Sequence, residues 1–254
     1  MTTLLVDIGN TRVKWALLRG SRLGRMHALA HEGKSAALRE LARAAPGGVM
    51  RVIAVSVTGA GFERVLSAAI RARFGVRVEF MRSVRSAAGV RNGYRDTWRL
   101  GADRWAGIIA AHDIAGVRHA LAANIGTALT IDAVTAEGRH LGGVITPGPS
   151  TMIESLLDGT HGIRRRAAGK RPGRVVRRGG FARDTASAVA TGAVLASASL
   201  IDRAMREAKS TLGATPLLLL TGGAAAQLLP HIKSPCRVVP DLVLRGLGVL
   251  ARRQ

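Results

Sequence analysis

An aspartate directly after an apolar strand, followed by a glycine and two small polar residues, is a pattern that can hold a metal-bound phosphate. The segment Leu4-Leu5-Val6-Asp7-Ile8-Gly9-Asn10-Thr11-Arg12-Val13-Lys14-Trp15-Ala16 has it. Backbone N–H groups and small side chains of such a turn can approach phosphate oxygens, while Asp7 faces the magnesium ion that accompanies them. The spacing is not that of a P-loop, which needs a strand, Gly-x4-Gly-Lys-Ser/Thr and then a helix. Here Val13 to Leu18 continues as strand, so the unit reads as a hairpin. An ordinary hairpin with an Asp-x-Gly turn would carry the same residues, so the segment needs partners elsewhere in the chain.

The elements around it alternate between strand and helix signals from end to end, which predicts an α/β protein. Strands are expected at Thr3–Val6, Arg12–Leu18, Arg22–Ala28, Val49–Val57 and Val76–Met81, and helices at Lys34–Arg43, Gly61–Arg73 and Ala102–Ile114. In the second helix Phe62, Val65, Leu66, Ala69 and Ile70 share one face at the helical period. The pattern then restarts. A strand at His119–Asn124 meets the turn Ile125-Gly126-Thr127, and strands Leu129–Val134 and His140–Val144 follow. Helices are expected at Pro149–Leu157 and Thr185–Lys209, before a strand at Pro216–Leu220 that runs into Thr221-Gly222-Gly223. Both halves therefore open on strand, small polar turn, strand. This order is similar to that of the actin, sugar-kinase and heat-shock ATPase superfamily. Its members have two ribonuclease H-like domains, two phosphate turns, a late Gly-Gly turn against adenosine, and an active site in the interdomain cleft. The expected division is 1–115, with the first hairpin, and 116–254, with the second turn and the Gly-Gly turn.

Composition narrows the class. Hydrophobic residues make up 47% of the 254 and the mean hydropathy is positive, which describes a folded chain and not a disordered one. Asp7 interrupts the N-terminus before any signal-peptide apolar region could form. The uncharged run Thr185–Ile201 is rich in Ala, Ser, Thr and Gly, as in a closely packed helix of a soluble protein, so no membrane association is expected. Cys236 is the only cysteine, which excludes an internal disulfide and fits a reducing cytoplasm. The net charge of +22 invites a nucleic-acid reading. Yet 33 arginines stand against five lysines, and they are dispersed except for Arg164, Arg165, Arg166, Lys170, Arg171, Arg174, Arg177 and Arg178. Glycines and prolines interleave that cluster and no aromatic does until Phe181, so it reads as a mobile basic loop without stacking platforms.

The chain resembles the type III pantothenate kinases over nearly its whole length. Carrying the resemblance, in order, are Asp7-Ile8-Gly9-Asn10-Thr11-Arg12-Val13-Lys14, Asn92-Gly93-Tyr94, Gly101-Ala102-Asp103-Arg104-Trp105-Ala106-Gly107 and Gly126-Thr127-Ala128-Leu129-Thr130. Gly142-Gly143-Val144-Ile145-Thr146-Pro147-Gly148, Asp184-Thr185, Thr221-Gly222-Gly223 and Asp241-Leu242-Val243-Leu244-Arg245-Gly246-Leu247 complete the set. The Gly-x-Asp-Arg-Trp-Ala element is the most diagnostic, because nucleotide hairpins occur in many kinases. The resemblance implies ATP-dependent phosphorylation of the primary hydroxyl of pantothenate, the first step of coenzyme A synthesis, by a cytoplasmic homodimer whose acceptor site the neighbouring subunit completes. It implies that Asp7 through Lys14 and Thr127 hold the ATP phosphates, with magnesium at Asp7. Tyr94, Gly101, Ala102, Asp103, Arg104 and Thr185 would bind pantothenate, with Asp103 as catalytic base.

This assignment is chemically coherent. Phosphoryl transfer needs charge neutralisation and in-line positioning. An alcohol is a poor nucleophile, so a carboxylate beside its proton helps as the new bond forms. Asp103 follows a glycine at the start of an apolar helix, and Arg104 is a planar, permanently charged donor suited to a carboxylate. In isolation Asp103 would equally serve the helix dipole and Arg104 a surface ion pair. Thr185 would equally be a helix cap, Tyr94 a packed loop aromatic and Lys14 a solvated strand residue. His112, His119, His140 and His161 have no metal-ligand spacing. One departure concerns a monovalent cation, potassium or ammonium. Many members carry an Asp shortly before the second Gly-Thr-Ala, where this chain has Asn124 and Ile125. Weak or absent potassium stimulation is therefore expected. A non-catalytic regulator or nucleic-acid-binding protein on the same fold is the alternative, as is a kinase of another small hydroxylated acceptor.

Overall fold

A computed structural model describes residues 1–31, 33–168, 173–176 and 181–253. Lys170, Arg171, Arg177 and Arg178 of the basic cluster lie outside them. In chain order the elements are β1 (Thr2–Ile8), β2 (Arg12–Arg19), β3 (Arg22–Leu23), β4 (His27–Ala30), α1 (Ala36–Ala44), β5 (Arg51–Ser56), α2 (Ala60–Phe74), β6 (Val78–Phe80), β7 (Ser86–Ala87), β8 (Val90–Arg91) and α3 (Ala102–Ala115). Then come β9 (Ala120–Ile125), β10 (Ala128–Val134), β11 (His140–Pro147), α4 (Pro149–Gly159), α5 (His161–Ala167), α6 (Thr185–Leu212), β12 (Leu217–Thr221), α7 (Ala225–Leu228), β13 (Cys236–Val238) and α8 (Leu242–Arg253). The chain forms two units: residues 1–117, 134–142 and 241–254, and residues 118–133 and 143–240.

The first unit is built on a sheet of order β3-β2-β1-β5-β6, with β4 also on β2. β1 pairs antiparallel with β2 and parallel with β5. Because side chains alternate across a strand, β1 sends its residues two ways. Leu4, Val6 and Ile8 join a core with α1 and α2, in which Leu38, Leu41, Leu66 and Ile70 are fully buried. Leu5 and Asp7 take the opposite face, where α3 packs on β5 and α8 packs on β1, β2 and β5. Phe62, Val65 and Ala69 pack on the α2 side of the core, as the helical period predicts.

Helix α3 is buried on nearly every side, from Arg104 through Ala111. Its neighbour α8 lies so close that a Cβ at Gly246 would overlap the Ala106 carbonyl. That contact fixes the height of α3, and with it the residues at its N-terminus. The expected strand Arg22–Ala28 is instead two short ones. The Gly24 N–H turns back to Leu17 O at 2.8 Å, and the chain re-enters the ladder only at His27.

The second unit repeats the arrangement, with a sheet of order β11-β10-β9-β12-β13. With β4 set aside, the order counted within each unit is third, second, first, fourth, fifth in both. β9 pairs parallel with β12, and β12 with β13. Its core joins Leu121, Leu129, Ile131, Leu218 and Leu220 to Val194, Ile201 and Met205 of α6. By length and composition α6 could cross a membrane, but half of its most apolar window is buried within the protein. The same helix carries the buried Asp202, whose carboxylate accepts from the Lys233 and Ser234 N–H groups and the Ser234 hydroxyl. Those donors hold the Asp202 carboxyl below its ordinary range despite burial. The basic stretch expected as loop begins as helix: α5 includes Arg164, Arg165 and Arg166.

Candidate active site

The β1–β2 hairpin closes through one main-chain bond, Gly9 N–H to Arg12 O at 3.0 Å. Ile8 faces Val13 in register, and both are fully buried, so the turn stands on an apolar base. Asn10 and Thr11, at the tip, are exposed, as is Arg12. Asp7 pairs in register with Lys14, whose Nζ lies 3.7 Å from its carboxylate. Asp7 is 5% exposed, and burial raises its pKa to about 6. Lys14 opposes the shift, and the Asp103 carboxylate adds to it. The two aspartates are thus within electrostatic reach of each other. This follows from alternation along β1, which turns Asp7 toward the face that α3 covers.

Asp103 sits in the first turn of α3, whose N-cap is Gly101. Gly101 O accepts the Trp105 N–H at 2.9 Å, and Asp103 Oδ1 accepts the Arg104 N–H at 2.8 Å. A carboxylate here also meets the positive end of the helix dipole. Arg104 is 7% exposed and donates from Nη1 to the Tyr94 hydroxyl at 2.9 Å. Tyr94 is held from behind by His140, ring on ring with centroids 5.9 Å apart and planes 16° from parallel. Its backbone is set by Asn92, whose Oδ1 accepts the Tyr94 N–H at 2.9 Å. Tyr94, Asp103 and Arg104 therefore form one constellation. Asn92 and His140 are its buried supports, and the spacing of His140 gave no sign of that role.

In the second unit the turn after β9 closes through Gly126 N–H to Ala128 O at 3.0 Å. Thr127 is exposed, and its carbonyl accepts from Gly148 N–H at 2.8 Å and the Thr151 hydroxyl at 2.7 Å. Gly222 follows β12 with φ +95°, and a Cβ there would overlap the Ile125 carbonyl. Only glycine satisfies both demands. The Ala224 N–H then bonds Ile125 O at 3.1 Å, which ties the Gly222-Gly223 turn to the Ile125-Gly126-Thr127 turn. Thr185 is the first residue of α6, and the cap belongs to its neighbour: Asp184 Oδ1 accepts the Ser187 N–H at 2.8 Å. Among the described residues no group of three or more His, Cys, Asp or Glu could hold a metal ion.

Comparison with known proteins bears on the chain as a whole. The family model for type III pantothenate kinase matches residues 3–207. The chain is 38% identical over 249 residues to a type III pantothenate kinase of Chromobacterium violaceum, covering 96% of this chain and 97% of that one. It is 39% identical over 250 residues to one of Laribacter hongkongensis, covering 98% of each. Among solved structures it is similar to the ethanolamine utilization protein EutJ of Carboxydothermus hydrogenoformans, with a TM-score of 0.54, 12% identity and coverage of 100% and 90%. It is also similar to component A of the (R)-2-hydroxyglutaryl-CoA dehydratase of Acidaminococcus fermentans, with a TM-score of 0.53, 12% identity and coverage of 99% and 96%. Two sheets of one repeated order, each with a glycine turn after its first strand, fit the actin, sugar-kinase and heat-shock ATPase class to which the sequence pattern pointed. The chain belongs to the type III pantothenate kinase family.

Proposed function

We propose that this protein transfers the γ-phosphoryl group of ATP to the primary hydroxyl of pantothenate, giving 4'-phosphopantothenate and ADP in the cytoplasm. The observation that carries the reading is that a buried carboxylate at a small polar turn, Asp7, shares one face of the first unit with the carboxylate that opens α3, Asp103. Asp103 takes the hydroxyl proton as the new O–P bond forms and the bond to the ADP oxygen breaks. Arg104, aimed by Tyr94, binds the pantothenate carboxylate as a charge-assisted pair. Tyr94, the Gly101–Arg104 segment and Thr185 bind pantothenate. The N–H groups of the Gly9–Thr11 turn, with Lys14 and Thr127, bind phosphate oxygens, and the Gly222-Gly223 turn lies against adenosine. A single ligating carboxylate suits magnesium, which keeps several waters and is bound mainly through the nucleotide phosphates. When bound at Asp7 it neutralises charge on the transferring group.

An ADP-release assay with pantothenate and a panel of sugars tests the assignment. Turnover is expected with pantothenate alone, and potassium is expected to change the rate by less than about twofold over sodium. ADP release with a sugar but not with pantothenate would overturn the acceptor, and saturable activation by potassium would overturn the reading of Asn124.

We also propose a homodimer in which second copies meet on α6. Support comes from an apolar groove of about 470 Å³ between α4, α5 and α6, lined by Met152, Ile153, Ile163, Val189 and Ala193, with Leu156 and Leu195 exposed nearby. Gly192 lies on this face and a Cβ there meets nothing within 4 Å. Gly192→Glu should therefore leave the fold intact and convert a dimer of 26.6 kDa chains to monomer in sedimentation velocity. A wild-type monomer would reject the proposal.

A further inference from the structure

The tip of the first hairpin is gripped from outside by a residue the catalytic scheme does not use. His31 follows β4 and is 4% exposed. Its main-chain N–H donates to Thr11 O at 3.0 Å, and its Nε2 lies 2.7 Å from Gly9 O. Both carbonyls that flank Asn10 are thus held by one residue. On the other side of the ring, Nδ1 accepts the Gly33 N–H at 3.1 Å. A nitrogen that accepts an N–H carries no proton, so in the neutral ring the proton is on Nε2 and Nε2 donates to Gly9. Phe62 of α2 holds the ring in place, with centroids 4.9 Å apart at 58°.

The consequence lies in the peptide between Gly9 and Asn10. In a planar trans peptide the C=O and the next N–H point in opposite directions. Drawing the Gly9 carbonyl back to His31 therefore turns the Asn10 N–H outward, away from the ring. With no bond to His31 the peptide would be free to flip, and its carbonyl would then face a phosphate with the wrong sign of dipole. We infer that His31 is a positioning residue: its Nε2–H holds the Gly9 carbonyl so that the Asn10 N–H meets a phosphate oxygen of the nucleotide.

This inference rests on the nucleotide reading of the turn, and the test separates the two. His31→Phe keeps ring volume against Phe62 without a donor, and His31→Gln keeps an N–H donor. Calorimetric titration with magnesium-ATP is expected to show binding about five- to tenfold weaker in His31→Phe, the loss of one buried hydrogen bond, and within about twofold of wild type in His31→Gln. The KM for pantothenate should be unchanged in both. Equal affinity in all three proteins, or equal weakening in both variants, would overturn the positioning role, while wild-type protein that binds no ATP would overturn the nucleotide reading instead. Should His31→Phe fail to fold, long-range 15N–1H spectra of the wild type decide the geometry. A proton on Nε2 is expected, and the Nδ1–H tautomer would overturn it.

Discussion

Asp103→Asn is expected to lower kcat about 10²- to 10⁴-fold, the range lost with a general base, while magnesium-ATP binds within about threefold of wild type. The substitution is mild for the fold. An amide oxygen can still accept the Arg104 N–H that Oδ1 now accepts at 2.8 Å, and the side chain is only half-buried at the first turn of α3. What it removes is the ability to take a proton from the acceptor hydroxyl and one negative charge beside Asp7. The second loss has its own signature. The Asp103 charge is among the causes that raise the Asp7 pKa, so its removal should move the Asp7 titration downward. A single variant would then show a collapsed turnover number and a carboxylate that ionises at lower pH, read by the 13C shift of the Asp7 carboxyl. Near-normal phosphorylation by Asp103→Asn would remove it from the role of base. An unmoved Asp7 titration would show that the two carboxylates are farther apart than the electrostatics require.

The parts legible in the sequence are those in which local residue type dictates local geometry. An apolar strand ending in Asp7-Ile8-Gly9 can hardly do otherwise than turn, and the strand period alone assigns Asp7 to the face opposite Leu4, Val6 and Ile8. The helix opened by Gly101 and the positive-φ turn at Gly222 are of the same kind. What escaped detection depends on distant segments. His140 stacks on Tyr94 across 46 positions of sequence, and His31 reaches Gly9 from beyond β4. Neither histidine has a local motif, because the partner each one serves is supplied by topology. The return of α8 to pack on α3 is similarly silent: its sequence shows an apolar stripe and two glycines, but only the sheet order says which helix Gly246 must fit. Conversely, Thr185 looked like a cap because any Ser, Thr, Asp or Asn before an apolar run does. Asp184 holds that position in the structure, which frees the Thr185 side chain from capping.

Asp7→Asn should abolish productive use of magnesium-ATP and at the same time stabilise the empty protein, a pairing that separates a functional carboxylate from a structural one. The sign follows from proton linkage. Asp7 ionises at about 6 in the folded protein against an ordinary value of 3.8, so between those values the native state binds more protons than the unfolded chain. Stability therefore falls as pH rises through that window, and the full cost is present above about pH 6. Two pH units correspond to roughly 3 kcal/mol at most. That figure is already net of the attraction to half-buried Lys14, and because an amide only approximates the protonated carboxyl the gain on substitution is expected at about 1–2 kcal/mol. Near pH 3 the wild-type carboxyl is largely protonated in both states, and the gain should vanish. Thermal melts at pH 8 should place the variant about 2–8 °C above wild type, with the two converging near pH 3. Turnover at pH 8 should fall at least about 10²-fold, since an amide neither balances the metal charge nor replaces an anionic oxygen ligand. A variant that melts below wild type at pH 8 would mean that Asp7 is held for the fold through Lys14. Greater stability with lost activity would mean that the protein tolerates an unfavourable buried charge because the metal and the nucleotide phosphates later offset it.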